Sequence, residues 1–393
     1  MSTGTMELRR CIYCEHEKSL DDFSLEHIFP QSWGGRLCSD LFKTHHVCGR
    51  CNSLMGIFVD GAMIRNWFTS QAETNAYRDF VVLEADDSWA PYTYIGPSDF
   101  LQVASDEVLE IWGGYSGEHI YHIHQKDDPR YDTFVGGDPI KRKKDPGRAY
   151  LYITNSDPKR IGLTLRSFAR EFSEAKRYAG NLAIHGQTAA HTFVHEASES
   201  VQTELNALTV KIKSGTQRKI PIKIDMGFEQ RFLAKMARGL GFNIFGARYL
   251  DTQRAVELKG ALWEQDYARR SKLLGGVSFL SNSLTHLAPI IGVTSTYALL
   301  LKIIDERLIL CLTMPSGQTL AVVIADSPEL LSDPNTTCYR EGNIYIVVPQ
   351  IDSFIGPVSL PEFIAYKQGL LSIPSLTELE QRRKKFPSSD ASS

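Results

Sequence analysis

The chain has no surplus of positive charge. Its 43 Lys and Arg are outnumbered by 46 Asp and Glu, for a formal net charge of −3, so it lacks the bulk basic character by which many nucleic-acid binders hold phosphate. Cysteine is scarce, with seven in 393 residues. That is too few for a disulfide scaffold in a chain of this length and fits a reducing, cytoplasmic setting. Met1 to Arg10 contain no apolar stretch of signal-peptide type. The one run without charge, Leu273 to Leu301, is broken by Gly275, Gly276, Asn282, Pro289 and several hydroxyls. It reads as a buried loop-and-strand stretch, because a membrane helix needs about 20 mostly apolar residues. There is no phosphate-binding glycine loop, no internal repeat, and no low-complexity stretch apart from the last few residues. With 42% hydrophobic and 23% charged residues, the chain can bury a substantial core and is expected to form two or three domains.

What the chain does have is a concentration of its few cysteines. Cys11-x-x-Cys14 and Cys48-x-x-Cys51 supply four thiolates, and the short loop within each pair lets both sulfurs face one tetrahedral ion, so a structural zinc site is expected. The 33 residues between Cys14 and Cys48 exceed the usual zinc-ribbon gap, which implies an insertion between the halves of the knuckle. That insertion carries Glu26-His27-Ile28-Phe29-Pro30 and Gly34-Gly35, and Asn52 follows the last cysteine. Cys38 has no close partner and reads as a buried or spare thiol. Ser24 to Phe29 is a short, partly apolar strand that Pro30 stops, and Gly34-Gly35 permits the positive φ of a tight loop. The apolar stretches after Asn52 read as helical and buried, with their first amides turned toward the site, a favourable place for phosphate.

These residues together resemble the HNH endonuclease family, over about Cys11 to Gly56. The resemblance implies a ββα-metal fold with an acid-His pair on a first strand and an Asn or His on the following helix. It implies that His27 is the general base, that Glu26 and Asn52 are ligands of a catalytic metal, and that His45 or His46, with His45 preferred, fills the middle position of the motif. It also implies 5′-phosphate and 3′-hydroxyl products. Gly56 stands where some relatives carry a further helical ligand, which leaves that coordination to water or substrate. The residue types suit the chemistry. A neutral imidazole can take a proton from water near neutral pH, and oxygen ligands select a hard ion, magnesium or manganese, distinct from thiolate-bound zinc.

Phosphate contacts must come from local basic clusters, since residues 1–75 are themselves not basic. Lys141-Arg142-Lys143-Lys144 with Arg148 is the first candidate for contacting DNA. Arg166, Arg170 and Arg177 would share one helical face, and Arg382-Arg383-Lys384-Lys385 lie near the end. His122 and His124 would share a strand face with Glu118, and His191, His195 and Glu196 fall at helical spacing. Neither group makes a full coordination set, and both read as ordinary polar or partly buried histidines.

The remainder reads as mixed α and β. Strands are predicted at Tyr92–Ile95, Val108–Trp112, His119–His124, Ala149–Thr154, Leu208–Ile212 and Ile220–Ile224, and helices at Gly162–Tyr178, Glu229–Gly239 and Arg254–Lys272. An antiparallel set is predicted at Tyr297–Ile304, Leu308–Met314, Thr319–Ile324 and Asn343–Val348. The expected architecture is α+β: a small HNH zinc-knuckle domain over 1–75, a middle region over 76–215 and a C-terminal region over 216–393. The expected function is metal-dependent hydrolysis of DNA, with a lean toward restriction or antiphage defence that rests on analogy. Two alternatives are an RNA-directed nuclease and a catalytically silent zinc module that binds DNA or protein. No membrane contact is expected, and a homo-oligomer or regulatory partner is compatible with the long appended region.

Overall fold

The computed structural model describes residues 7–64, 66–81, 88–115, 117–126, 146–153, 158–180, 195–215, 227–274 and 282–383. Among these the strands of the first half are β1 (Leu8–Arg10), β2 (Glu17–Ser19), β3 (Phe23–His27), β4 (Lys43–Cys48), β5 (Thr93–Pro97), β6 (Glu107–Gly113), β7 (His119–Gln125), β8 (Gly147–Tyr152) and β9 (Lys176–Gly180). The second half adds β10 (Tyr297–Ile304), β11 (Arg307–Thr313), β12 (Thr319–Ala325), β13 (Asn343–Val348) and β14 (Ser353–Ser359). The molecule is mixed α+β.

The chain divides into two compact units, one of Met1–Ile64 with Asp225–Arg383 and one of Arg65–Ile224 with Lys384–Ser393. It passes between them after Ile64 and again after Ile224. The first and third segments, however, close on each other as a single unit.

In the first unit β1 pairs with β2 and β3 with β4, each antiparallel, and β10 to β14 form a five-stranded antiparallel sheet in the order β12-β11-β10-β13-β14. The runs in β10 and β11 are apolar and largely buried because the sheet is covered. Asp305 and Glu306 both take positive φ between them, the backbone of a tight hairpin turn. The inserted segment packs onto this sheet through aromatic rings. Trp33 stacks on Tyr297 at 4.7 Å, Phe29 meets the same ring edge-on at 5.6 Å, and Phe42 meets Tyr345 at 5.1 Å. Gly34 (φ +92°) makes the turn after Trp33, while a Cβ on Gly35 would lie 2.0 Å from the Phe29 carbonyl oxygen, so both glycines are required for different reasons.

A central helix, Phe228–Phe245, buries residues on nearly every face, among them Lys235 and Arg238. Gly239 lets it touch the inserted segment, since a Cβ there would lie 2.7 Å from Ile28 Cγ1. The helix is longer than the sequence suggests, and the long helix expected over 254–272 is two, Gln253–Trp263 and Tyr267–Leu274. β14 was not foreseen: its Gly and Pro at 356–357 disguise an edge strand.

The second unit is a five-stranded sheet, β5-β6-β7-β8-β9, antiparallel except for the β8–β9 pair. The helix Pro158–Glu171 is the crossover between those two parallel strands. It covers one face, where Ile161, Leu165, Phe168 and Phe172 pack with Trp112, Ile120 and Leu151. The helix Glu199–Lys213 covers the other. The strand expected at Leu208–Ile212 lies inside that second helix. Val201, Leu205, Leu208 and Ile212 make one helical stripe against the sheet, and this longer period overrides the local alternation. The helix expected through Tyr178 ends at Glu171, and Lys176 and Arg177 are on β9. Ile220–Ile224 lies outside the described residues. No helix among the described residues is long and apolar enough to cross a membrane.

Arg148 ties this sheet to its second helix. Its Nη2 donates to Glu107 Oε2 at 3.0 Å and its Nε to Glu204 Oε2 at 2.7 Å. The hydrogen bond from Arg148 holds the Glu107 carboxyl below its ordinary 4.5. Arg148→Met should lower stability at neutral pH by about 1–3 kcal/mol, because two half-buried carboxylates lose their donor. A depressed carboxyl stabilises above its unfolded value, and that contribution disappears as pH falls through it. The gap between wild type and variant in urea unfolding should therefore narrow below pH 4.5.

Candidate functional site

Two tight turns bring the four cysteines together. After β1, the Cys11 N–H donates to the His16 carbonyl at 3.1 Å and the Glu15 N–H to the Cys11 carbonyl at 2.8 Å, with Glu15 at φ +63°. This folds Cys14 back beside Cys11. Cys48 ends β4 and caps the short helix Gly49–Met55, whose first turn holds Cys51. The four sulfurs lie within 4.8 Å of one another, and the Cys48 N–H donates to Cys11 Sγ at 3.4 Å. A hydrogen bond from Cys51 lowers the Cys11 thiol to about 4 against the opposing effect of burial. The donor set is that of a closed tetrahedral thiolate site. Cys38 stands apart: burial pushes its thiol up to about 12, and it donates to the Gly34 carbonyl.

Glu26 and His27 end β3, which pairs with β4 so that Glu26 is opposite Thr44 and His27 opposite Lys43. The register shifts between Ser24 and Glu26, where Leu25 faces two residues of the partner strand, His45 and His46, so the bulge lies on β4. Asn52 holds β3 opposite that bulge from the knuckle helix, its Nδ2 donating to Ser24 Oγ and to the Leu25 carbonyl, both at 2.9 Å. Both contacts use the amide nitrogen, so Asn52 offers Oδ1. His27 is half-buried, and burial moves its imidazole below the ordinary 6.5, with Lys43 and Lys235 acting in the same direction and Glu26 against them. Burial therefore favours the neutral ring. His45 is exposed and lies two residues from Lys43 on β4, hence on the side of the ribbon that carries His27. His46 packs its ring on Phe242 at 4.7 Å.

Glu26 faces the other way and is 2% exposed. The Lys235 ammonium lies 2.8 Å from Glu26 Oε1, 2.6 Å from Asp60 Oδ2 and 3.0 Å from the His27 carbonyl. The Tyr13 hydroxyl adds a contact to the same Oε1 at 3.4 Å. Burial opposes the charge on Lys235, but the two carboxylates outweigh it and raise its pKa. Burial pushes the Asp60 carboxyl up to about 6, with Lys235 opposing. Sequence reasoning missed Lys235 and Asp60. Asp60 carried no motif signal, and Lys235 is 208 residues from His27 with nothing local to connect them.

Residues 11–68 match the family model described as HNH endonuclease. This stretch is an HNH-type domain. No curated protein and no solved structure matches the chain.

The basic residues expected to contact phosphate are placed differently. Lys141, Arg142, Lys143 and Lys144 lie outside the described residues. Arg148 is occupied by Glu107 and Glu204, and these two carboxylates would repel a phosphate. Arg166 donates to the Ser88 carbonyl, Arg170 lies 4.3 Å over the Trp89 ring, and Arg177 donates to the Ala169 carbonyl from a strand. The shared helical face does not form.

Removing Lys235 should leave the buried Glu26 and the part-buried Asp60 carboxylates without their shared cation. Lys235→Met is expected to cost about 3–5 kcal/mol in thermal or urea unfolding. Adding Glu26→Gln and Asp60→Asn should recover most of that loss; a triple variant no more stable than the single one would show that the charges are not the cause.

Proposed function

We propose that this protein is a metal-dependent endonuclease that hydrolyses phosphodiester bonds of DNA through its HNH domain, with zinc in the cysteine knuckle. The observation that carries the reading is the half-buried His27 at the end of β3, a strand that Asn52 pins from the knuckle helix. His27 is the proposed general base, taking a proton from the attacking water. His45, on the same side of the ribbon, fills the middle position of the motif. Glu26 and Asn52 are the proposed oxygen ligands of the catalytic ion, Glu26 through Oε2, since the contacts from Lys235 and Tyr13 fall on Oε1. When bound, a magnesium or manganese ion supplies Lewis acidity at the phosphate and at the leaving oxygen. The thiolate cage keeps the helix that carries Asn52 against the strand that carries His27. A role in restriction or antiphage defence remains an analogy from HNH modules joined to large regions.

One observation favours a second reading. Glu26 is nearly fully buried and already bound to an ammonium ion, as suits a silent zinc module that binds DNA or protein without cutting it.

Plasmid cleavage by the purified chain with magnesium or manganese separates the two. The nuclease reading expects cutting that EDTA abolishes and that His27→Ala reduces by about 10²- to 10⁴-fold, in a variant that keeps its zinc and its fold. Equal cutting by wild type and variant would remove His27 from the chemistry, and no cutting by zinc-loaded wild type would favour the silent module. Matched RNA in the same assay tests the choice of substrate.

A further inference from the structure

The second unit contains a cluster that the nuclease does not use. Glu110 on β6 lies directly opposite His122 on β7, and His124 follows His122 on the same side of that strand. All three side chains are buried, at 0%, 0% and 1% exposure. One ligand atom from each lies within 4.8 Å of the others. They sit on the sheet face covered by the helix Pro158–Glu171, among Trp112, Ile120 and Phe172, with the Phe172 ring 5.4 Å from that of His122.

The tautomer of His124 carries the argument. Its Nδ1 is 2.9 Å from the Gln125 carbonyl. A carbonyl only accepts, so Nδ1 holds the proton and a neutral ring presents a lone pair at Nε2. That nitrogen lies 3.4 Å from Glu110 Oε2. A lone pair and a carboxylate oxygen facing each other in a dry interior repel unless a cation lies between them. A second proton on the ring would satisfy this pair alone, whereas a metal ion would take both atoms and the His122 nitrogen together. Ligands about 2.0–2.2 Å from a tetrahedral ion are themselves about 3.3–3.6 Å apart, and the 3.4 Å between His124 Nε2 and Glu110 Oε2 matches that edge. Metal-bound histidines commonly donate their other nitrogen to a carbonyl in this way. The Tyr94 hydroxyl, 3.5 Å from Glu110 Oε1, supports the carboxylate from behind.

We propose that Glu110, His122 and His124 bind a divalent first-row transition metal, zinc first, in a buried three-ligand site that cross-links β6 and β7. Two imidazoles and one carboxylate select this class over magnesium or calcium. The sequence had suggested Glu118 as the partner of the two histidines. Glu118 instead accepts a hydrogen bond from Thr164 Oγ1 at 2.9 Å, and the hairpin register supplies Glu110.

The test is the metal content of the full chain after incubation with zinc and removal of unbound ions, measured for manganese, iron, cobalt, nickel, copper and zinc. An organomercurial then releases only thiolate-bound metal. The expected result is one equivalent released by the mercurial and a second that comes off only on denaturation. His124→Gln should lose the second equivalent and keep the first. Wild-type protein whose metal is all thiol-releasable overturns the proposal, as does a folded His124→Gln variant that keeps the second equivalent. If that variant does not fold, the wild-type partition still decides. The thiol-releasable fraction reports the knuckle separately, so failure of one site is not mistaken for failure of the other.

Discussion

The first unit depends on two cations buried in one helix. Lys235 and Arg238 are both fully buried, and charges so placed are tolerated only when every donor finds an acceptor. Lys235 spans Glu26, Asp60 and the His27 carbonyl. Arg238 donates to the carbonyls of Ile12 and Ala255 and to Glu15. Further along, Asn243 Nδ2 donates to the carbonyls of Asp40, Leu41 and Lys43. One face of the helix thus fixes the first knuckle turn, the end of β3 and the start of β4.

This arrangement explains why the HNH segment does not form a unit by itself. Its aromatic residues Phe29, Trp33 and Phe42 face Tyr297, Phe232 and Tyr345, and its buried carboxylates are neutralised from residue 235. A short segment held by a cysteine cluster and two-stranded ribbons has little core of its own. The C-terminal sheet supplies it. Glu26 is consequently both the candidate metal ligand and a structural anchor, so a substitution there changes folding and chemistry together, whereas His27 lies on the less buried side and is the cleaner probe.

The second unit places polarity differently. Its sheet is covered on both faces by helices and aromatic residues, yet one face holds a carboxylate and two imidazoles whose ligand atoms lie within 4.8 Å of one another. A sheet that needed only to be buried would carry aliphatic residues at those three positions. Arg148 shows the opposite economy: a cation that looks available for phosphate in the sequence is satisfied by two carboxylates within its own unit.

The sequence alone determined what depends on short spacing. Each Cys-x-x-Cys pair, the Glu26-His27 dipeptide, the turn glycines and the Cys51-Asn52 pair are short local patterns, and the C-terminal strands are long apolar runs between clear turns. What tertiary structure decided is every relation between distant residues. The pairing of Glu110 with His122 follows from a hairpin register, the second helix from packing of a stripe that resembled a strand, the fate of Arg148 from two acids 41 and 56 residues away, and the burial of Glu26 from a lysine beyond an entire intervening unit. Local patterns reveal the period of an element and the chemistry of its neighbours; which charge meets which is set only when the elements close on one another, because Coulombic and hydrogen-bond energies depend on distance in space rather than along the chain.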